Sequence, residues 1–468
     1  MDPFVLGARY PDGGPLFAEV DADDLIERLG GVTGDARRVA AAPWTFAEIK
    51  PAKQPRLDDP PEAGWAYVVA EDDPDRNAII AAMEPLARAR GMADPSAPLV
   101  VPAGADRGDW IDEVYKGLGD GRPRYLLLAG SPSVLGYPLQ VDLAAAGALV
   151  GRVAFNGGDR LDAYAAYAQK VLRFDNGDPV PRRRATVVST YGGPLDATVY
   201  SSRYLTPPVS DLLRKERFDV TDVTGKAATK QGVQDALHGS GGAVVFTATH
   251  GAGFPPGARG ADPHAVNGAW ACAPAEEHTP ATAWDFLVAA DLPGGTVTPG
   301  GLVAQFACFG YGTTDHSSFA AWLGNPNVIE ADEPFVAAIP QRLLANPDGP
   351  IAYVGHVDIA LAHGFVDPYD PPTDGKVHPR TSPFLSLLTK AIVELAPLGY
   401  AMRGLHERAS AIASEIASTF DALEQLGIRV TDLPPDQKAK LIDKVIRRND
   451  AMHFLLFGDP GARVRIDA

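Results

Sequence analysis

The sequence predicts an α/β protein built on a mainly parallel sheet. Short continuous apolar runs recur along the chain, such as RYLLLA (124–129) and AVVFTA (243–248). That is how strands buried on both faces of a parallel sheet read. Segments with apolar residues at helical spacing alternate with these runs, and Gly/Pro/Asp turns close them, which is the order of an α/β layer fold.

In chain order, Trp65–Val69 and Leu99–Val101 read as short strands, with a helix over Asn77–Arg90 between them. Arg124–Ala129 is a buried strand closed by Gly130-Ser131-Pro132, and Ala148–Ala154 is a second. Arg160–Phe174 carries Leu161, Tyr164, Tyr167, Ala168, Val171 and Leu172 on one helical stripe. The charged, proline-bearing run 175–184 reads as a linker between two halves, 1–180 and 181–468. Beyond it come strands at Ala185–Ser189, Phe218–Val223, Ala243–Ala248, Leu302–Ala307 and Gly349–Val354. Helices are expected over Val209–Arg217, Thr229–Leu237 and Phe335–Ala345. The C-terminal part reads as helices Pro383–Leu395, Met402–Leu426 and Pro435–Arg448, then a last strand, Phe454–Phe457.

The 468 residues carry a formal charge of −17, from 42 Lys+Arg against 59 Asp+Glu. A surface this acidic argues against nucleic acid as a partner. No run approaches the ~18 apolar residues of a membrane span, and the start MDPFVLGARYPDGG lacks the basic-then-apolar order of a secretory leader. With only Cys272 and Cys308 there is no disulfide framework. These features together point to a cytoplasmic protein, and the Ala/Gly/Pro-heavy composition to a bacterial one.

Two strand ends carry the chemistry. AVVFTATHGAG delivers His250 and Gly251 just past one apolar run, and GLVAQFACFGYG delivers Cys308 past another, 58 residues on. In open α/β sheets functional groups gather outside the carboxyl ends of strands. Two adjacent parallel strands would bring imidazole and thiol to one rim. The thiolate is the nucleophile, and a nearby imidazole raises its fraction and then protonates a leaving amine. The N–H groups of Gly251 and Cys308 are the candidate oxyanion donors.

Ala307-Cys308-Phe309-Gly310 resembles the caspase signature, with the His about 50 residues upstream in caspases. Gln305 stands one place further upstream than the caspase Gln. RYLLLAGSP followed by ALVGRVAF resembles the first subdomain of gingipains. THG and ACFG resemble the His and Cys elbows shared by gingipains, caspases and CHAT domains, and HFLLFGDPGARVRI resembles their closing strand. The likeness covers roughly residues 120–466. It implies a caspase-like three-layer fold with two side-by-side subdomains, the first degenerate and the second catalytic. It also implies an intracellular cysteine endopeptidase acting through Cys308 and His250, regulated within a bacterial defence or stress system. The acidic residue that gingipains carry before the GR strand has no counterpart, since Gly147 and Ala148 stand there. The third catalytic group is left unassigned.

The resemblance further implies cleavage after Arg or Lys, with Asp159 or Asp315 as the pocket acid. The expected partners are a protein or peptide substrate and an activating protease or regulatory protein, with no membrane. No cofactor or metal is expected: His264, His278, His316, His356 and His363, with Asp367 and Asp370, lack the tight spacing of a zinc site. Calcium on loop carboxylates would need only convergent oxygens, but no EF-hand loop is present. Asp358 reads as a rim hydrogen-bonding group and Cys272 as a packing residue. Trp270 and Trp284 lie in the long loop 253–300, a lid or binding loop by its length. That loop, Arg182–Arg184 and Arg447-Arg448 are candidate activation cuts. The rival reading is a catalytically silent interaction module; a more distant one is an acyltransferase using the same pair.

Overall fold

The computed structural model describes residues 7–9, 55–177, 181–192, 196–238, 242–253, 262–274, 284–315, 317–319, 331–366 and 380–466. His278, His316, Asp367 and Asp370 lie outside the described residues. The strands are β1 (Gly7–Arg9), β2 (Trp65–Ala70), β3 (Leu99–Val101), β4 (Tyr125–Ala129), β5 (Leu149–Val153), β6 (Arg182–Ser189), β7 (Asp219–Thr224), β8 (Gly242–Ala248), β9 (Gly251–Gly253), β10 (Trp270–Cys272), β11 (Asp285–Leu287), β12 (Leu302–Phe306), β13 (Gly312–Thr313), β14 (Phe335–Val336), β15 (Ala352–His356) and β16 (Phe454–Gly458).

Ten of them form one sheet in the order β3-β2-β4-β5-β16-β15-β12-β8-β6-β7. Side-chain alternation shows why its central strands are largely apolar. In β2, Trp65, Tyr67 and Val69 join the core that holds Ile79, Met83 and Leu86 of the helix Arg76–Ala89. Ala66, Val68 and Ala70 point the other way, to Trp110, Ile111, Tyr115, Leu139 and Leu143. Successive side chains face opposite sides of a strand, so a sheet covered by helices on both faces needs no polar positions in its middle. This is an α/β three-layer fold, as the sequence predicts. β16 runs antiparallel to β15, with Tyr353 opposite Phe457, and meets β5 at one bridge, Phe457 with Arg152.

Most elements fall within a residue or two of the expected bounds. The run Arg182–Arg184, expected in the connection, instead opens β6, where Arg182 and Arg184 are exposed. The expected helix over Phe335–Ala345 begins only at Ala338, because Phe335 and Val336 pair with Gly312 and Thr313. The long C-terminal helix starts earlier than its periodicity, at Leu398, and ends at Gly427, whose φ of 67° suits a left-handed cap. A second sheet, β1-β9-β10-β11, was not foreseen.

Candidate active site

β8 and β12 are parallel neighbours, and their last pair is Ala248 with Phe306. The chain continues level on both, so His250 and Cys308 each stand two residues beyond that pair. Thr249 N–H donates to the Phe306 carbonyl (3.3 Å) and keeps the two ends together. Just beyond, the backbones touch. A Cβ built on Gly251 would overlap the Cys308 carbonyl oxygen and lie 3.0 Å from the Cys308 nitrogen. Only glycine fits there, because any side chain would push the two elbows apart.

His250 is buried, and its ring is fixed on two sides. Nε2 lies 3.0 and 2.9 Å from the two Asp196 carboxylate oxygens. The Trp284 ring meets it edge-on, centroid to centroid 5.4 Å. Asp196 is a residue the sequence reading missed. It follows β6, on the far side of β8 from Cys308. Thr198 N–H donates to it at 2.8 Å, and Gly192 packs so closely that a Cβ there would strike both Asp196 and Trp284. Burial opposes the charged Asp196 carboxylate, but the His250 charge, the hydrogen bond to it and the two Thr198 donors outweigh that and bring its pKa down to about 2. An ionised carboxylate only accepts, so His250 Nε2 carries the proton of that bond. The other ring nitrogen, Nδ1, is buried and without a hydrogen-bond partner among the described residues. An unpaired buried polar atom costs about 1–3 kcal/mol. A signal for Asp196 existed: the strand-end rule that finds His250 and Cys308 also applies to β6.

Cys308 is fully buried. Its Sγ accepts from Ala360 N–H (3.2 Å) and lies 3.6 Å from the Ala360 carbonyl, in the segment after β15. No hydrogen bond joins Cys308 to His250 among the described residues. Burial pushes the thiol well above its ordinary pKa, outweighing the Ala360 N–H, with the Asp358 and Asp450 charges adding to the rise. The thiol is therefore protonated in this conformation. The next residue, Phe309, has φ 55°, a strained value for a bulky side chain. It is held there by its N–H on the Asp358 carbonyl (2.9 Å). Asp358 is buried beneath the elbow rather than on the rim. Its carboxylate accepts from Ser317 Oγ (2.7 Å), Ser318 N–H (2.9 Å) and Ile359 N–H (2.8 Å). Burial lifts its pKa to about 6 against these donors.

The two expected pocket acids sit differently. Asp315 is half-buried in the loop after β13, on the Cys308 side. Asp159 is exposed ahead of the helix Arg160–Asp175, beyond β5. With β16 and β15 between β5 and β12, that is about 14 Å across the sheet at ~4.8 Å per strand. Cys272 is buried in β10 and burial raises its thiol to about 12, which fits packing. Both tryptophans are buried: the Trp284 ring meets His250, and Trp270 pairs with Gly251. His356 is buried between the Asp358 and Asp450 carbonyls (2.9 and 3.1 Å), and burial lowers its pKa to about 4. His264 is exposed and lies against the Phe335 ring. Among the described residues no three His, Cys, Asp or Glu side chains are grouped to hold a metal, and no helix is long and apolar enough to cross a membrane.

No family model and no curated protein matches the chain. A solved structure described as "Structure of Protease" is similar to it at 12% identity, covering 86% of this chain and 78% of that one, with a TM-score of 0.48.

Proposed function

We propose that this chain is a cysteine endopeptidase with Cys308 as nucleophile, His250 as acid and base, and Asp196 as the group that orients His250. One observation carries the reading. His250 and Cys308 stand level beyond adjacent parallel strands with backbones in contact, and Asp196 ties up Nε2 so that Nδ1 alone is left for the thiol.

In the cycle, Cys308 leaves Ala360 and turns to Nδ1, which takes its proton. The thiolate attacks the peptide carbonyl carbon, with the N–H groups of Gly251 and Cys308 on the developing oxyanion. The C–N bond breaks as the imidazolium returns the proton to the leaving amine. Water, deprotonated by Nδ1, then splits the thioester and frees Cys308. Asp196, already ionised, stabilises the imidazolium in each half. For substrates we favour a basic residue before the cleaved bond, with Asp315 nearer the chemistry than Asp159. Release of the thiol from Ala360 is a step that a regulatory protein or activating cut would control, as a defence or stress protease needs.

A digest of a peptide library tests this. The expected result is cleavage after Arg or Lys by the native chain, abolished in Cys308→Ala and in His250→Ala. Cleavage that persists in Cys308→Ala, or a preference for Asp or apolar residues, overturns it. The buried, protonated thiol favours one second reading, a catalytically silent interaction module. Under that reading Cys308 stays as inert to iodoacetamide as Cys272. Under ours it labels at least tenfold faster than Cys272 in the presence of peptide substrate.

A further inference from the structure

β9 begins at Gly251, directly after His250, and belongs to the small sheet β1-β9-β10-β11. β10 covers one edge of β9, with Trp270 opposite Gly251. The chain's own residues Gly7–Arg9 cover the other edge in parallel: Gly7 pairs with Gly251, Ala8 with Ala252 and Arg9 with Gly253. Paired residues of a parallel ladder point to the same face. The Gly251 face is the one that meets the Cys308 carbonyl. Gly7 and Arg9 therefore present the Cys308 side of the sheet, and Ala8 presents the opposite side. There Ala8 is buried among Ala252, Ala269, Ala271, Trp284 and Phe286. Trp284 is also the ring against His250.

We propose that the outer edge of β9 is a lane for an extended peptide, and that this chain fills the lane with its own Gly7-Ala8-Arg9. The proposal rests on the peptidase reading of His250 and Cys308 for its purpose, but not for its geometry. An unpaired strand edge takes a peptide through main-chain hydrogen bonds, and alternate pockets select its side chains. Here one pocket is methyl-sized, at Ala8. The alternate positions run beside Gly251 and Gly253, which have no side chains to crowd larger groups. The lane passes the Cys308 backbone, so a peptide in it is presented to the nucleophile. While Gly7–Arg9 occupy it, a substrate must displace them. The preferred occupant is an extended segment with a small residue flanked by a basic one, which Ala8-Arg9 supplies.

The test uses the full chain carrying Cys308→Ala, so that hydrolysis plays no part. A fluorescein-labelled hexapeptide of the sequence VLGARY is titrated by fluorescence anisotropy against this chain and against the same chain with Ala8→Asp, whose charge cannot enter the apolar pocket. The expected result is binding at least tenfold tighter to the Ala8→Asp chain, with faster amide exchange at Gly253, which faces β1 because the Ala252 N–H donates to Ala269 on the other side. Equal affinity for both chains, or unchanged exchange at Gly253, overturns the proposal. Should Ala8→Asp fail to fold, Ala8→Gly removes only the buried methyl and is expected to give the same ordering with a smaller shift; equal affinity there overturns it too. Tight peptide binding without hydrolysis by the native chain would remove the peptidase reading and leave the lane standing.

Discussion

His250 is held at one ring nitrogen and left without a hydrogen-bond partner at the other among the described residues. Asp196 holds Nε2 and fixes the tautomer; Nδ1 stays empty and buried. Asp196→Asn keeps the shape but can donate to Nε2, which favours the wrong tautomer. We expect kcat/KM to fall on the order of 10²–10⁴-fold, as for the orienting acid of a serine protease triad, with KM little changed. Stability changes with it. Asp196 has its folded pKa depressed from 3.8 to about 2, so its contribution is present above the unfolded value and is lost as pH falls from about 4 through 2. That difference is worth roughly 2 kcal/mol at neutral pH. Urea unfolding should therefore show the native chain losing its advantage over Asp196→Asn between about pH 4 and pH 2. An advantage that persists unchanged to pH 2 would mean the carboxylate is not held by His250. Asp358 has the opposite sign. Its raised pKa, about 6, means the fold binds the proton more tightly than the unfolded chain, so this group costs stability as pH rises through the window from 3.8 to 6.

At the scale of elements, the site is made where two strand ends converge, and Gly251 is the contact between them. Gly251→Ala places a methyl on the Cys308 carbonyl. Overpacking of this kind costs about 1–3 kcal/mol, and displacing the elbow by even an ångström removes the oxyanion geometry. The expected outcome is a folded chain with a lower melting temperature and at least a hundredfold lower kcat. Retained activity would show that the two elbows do not act as one unit. The same scale explains what the sequence made legible. β4, β8 and β12 were readable because both faces are buried, so nearly every residue is apolar and the run stands out. Their ends located His250 and Cys308. Asp196 escaped although Ala185–Ser189 reads as a strand, because it stands seven residues past the end of β6 while His250 and Cys308 stand two past theirs. β1, β9, β10 and β11 escaped for a different reason. Each is three residues long, and β1 and β9 are built largely of Gly and Ala, so no period of two can develop.

For the whole molecule, the sheet continues across the chain's midpoint, and the last strand lies between its halves. Asp459, just past β16, is fully buried. It accepts from Trp65 Nε1 at the start of β2 (2.9 Å), from Arg90 Nε (2.7 Å) and from Gly461 N–H (2.9 Å). Arg90 also pairs with Asp175 (2.6 Å), at the end of the helix Arg160–Asp175. One carboxylate thus ties the C-terminal strand to two elements of the first half, across 394 and 369 positions of sequence. This gives the Gly-Asp-Pro turn a physical role that its sequence pattern does not express: the Asp is a buried counter-charge. Asp459→Ala leaves the Arg90 guanidinium, only 11% exposed, with one partner instead of two. Breaking a buried pair by removing one member costs about 3–5 kcal/mol, because the remaining charge stays desolvated. If the ten-stranded sheet unfolds as one unit, the urea midpoint drops by that amount divided by m, with the slope m unchanged. If the halves fold independently, Asp459→Ala splits the transition in two and lowers m for each. Denaturation followed by tryptophan fluorescence and by far-ultraviolet circular dichroism distinguishes the outcomes, since coincident curves are required for a single unit. We expect coincidence in both the native and the Asp459→Ala chain, because β16 is hydrogen-bonded along its length to β15 and cannot leave the first half without disturbing the strand that follows the Cys308 elbow.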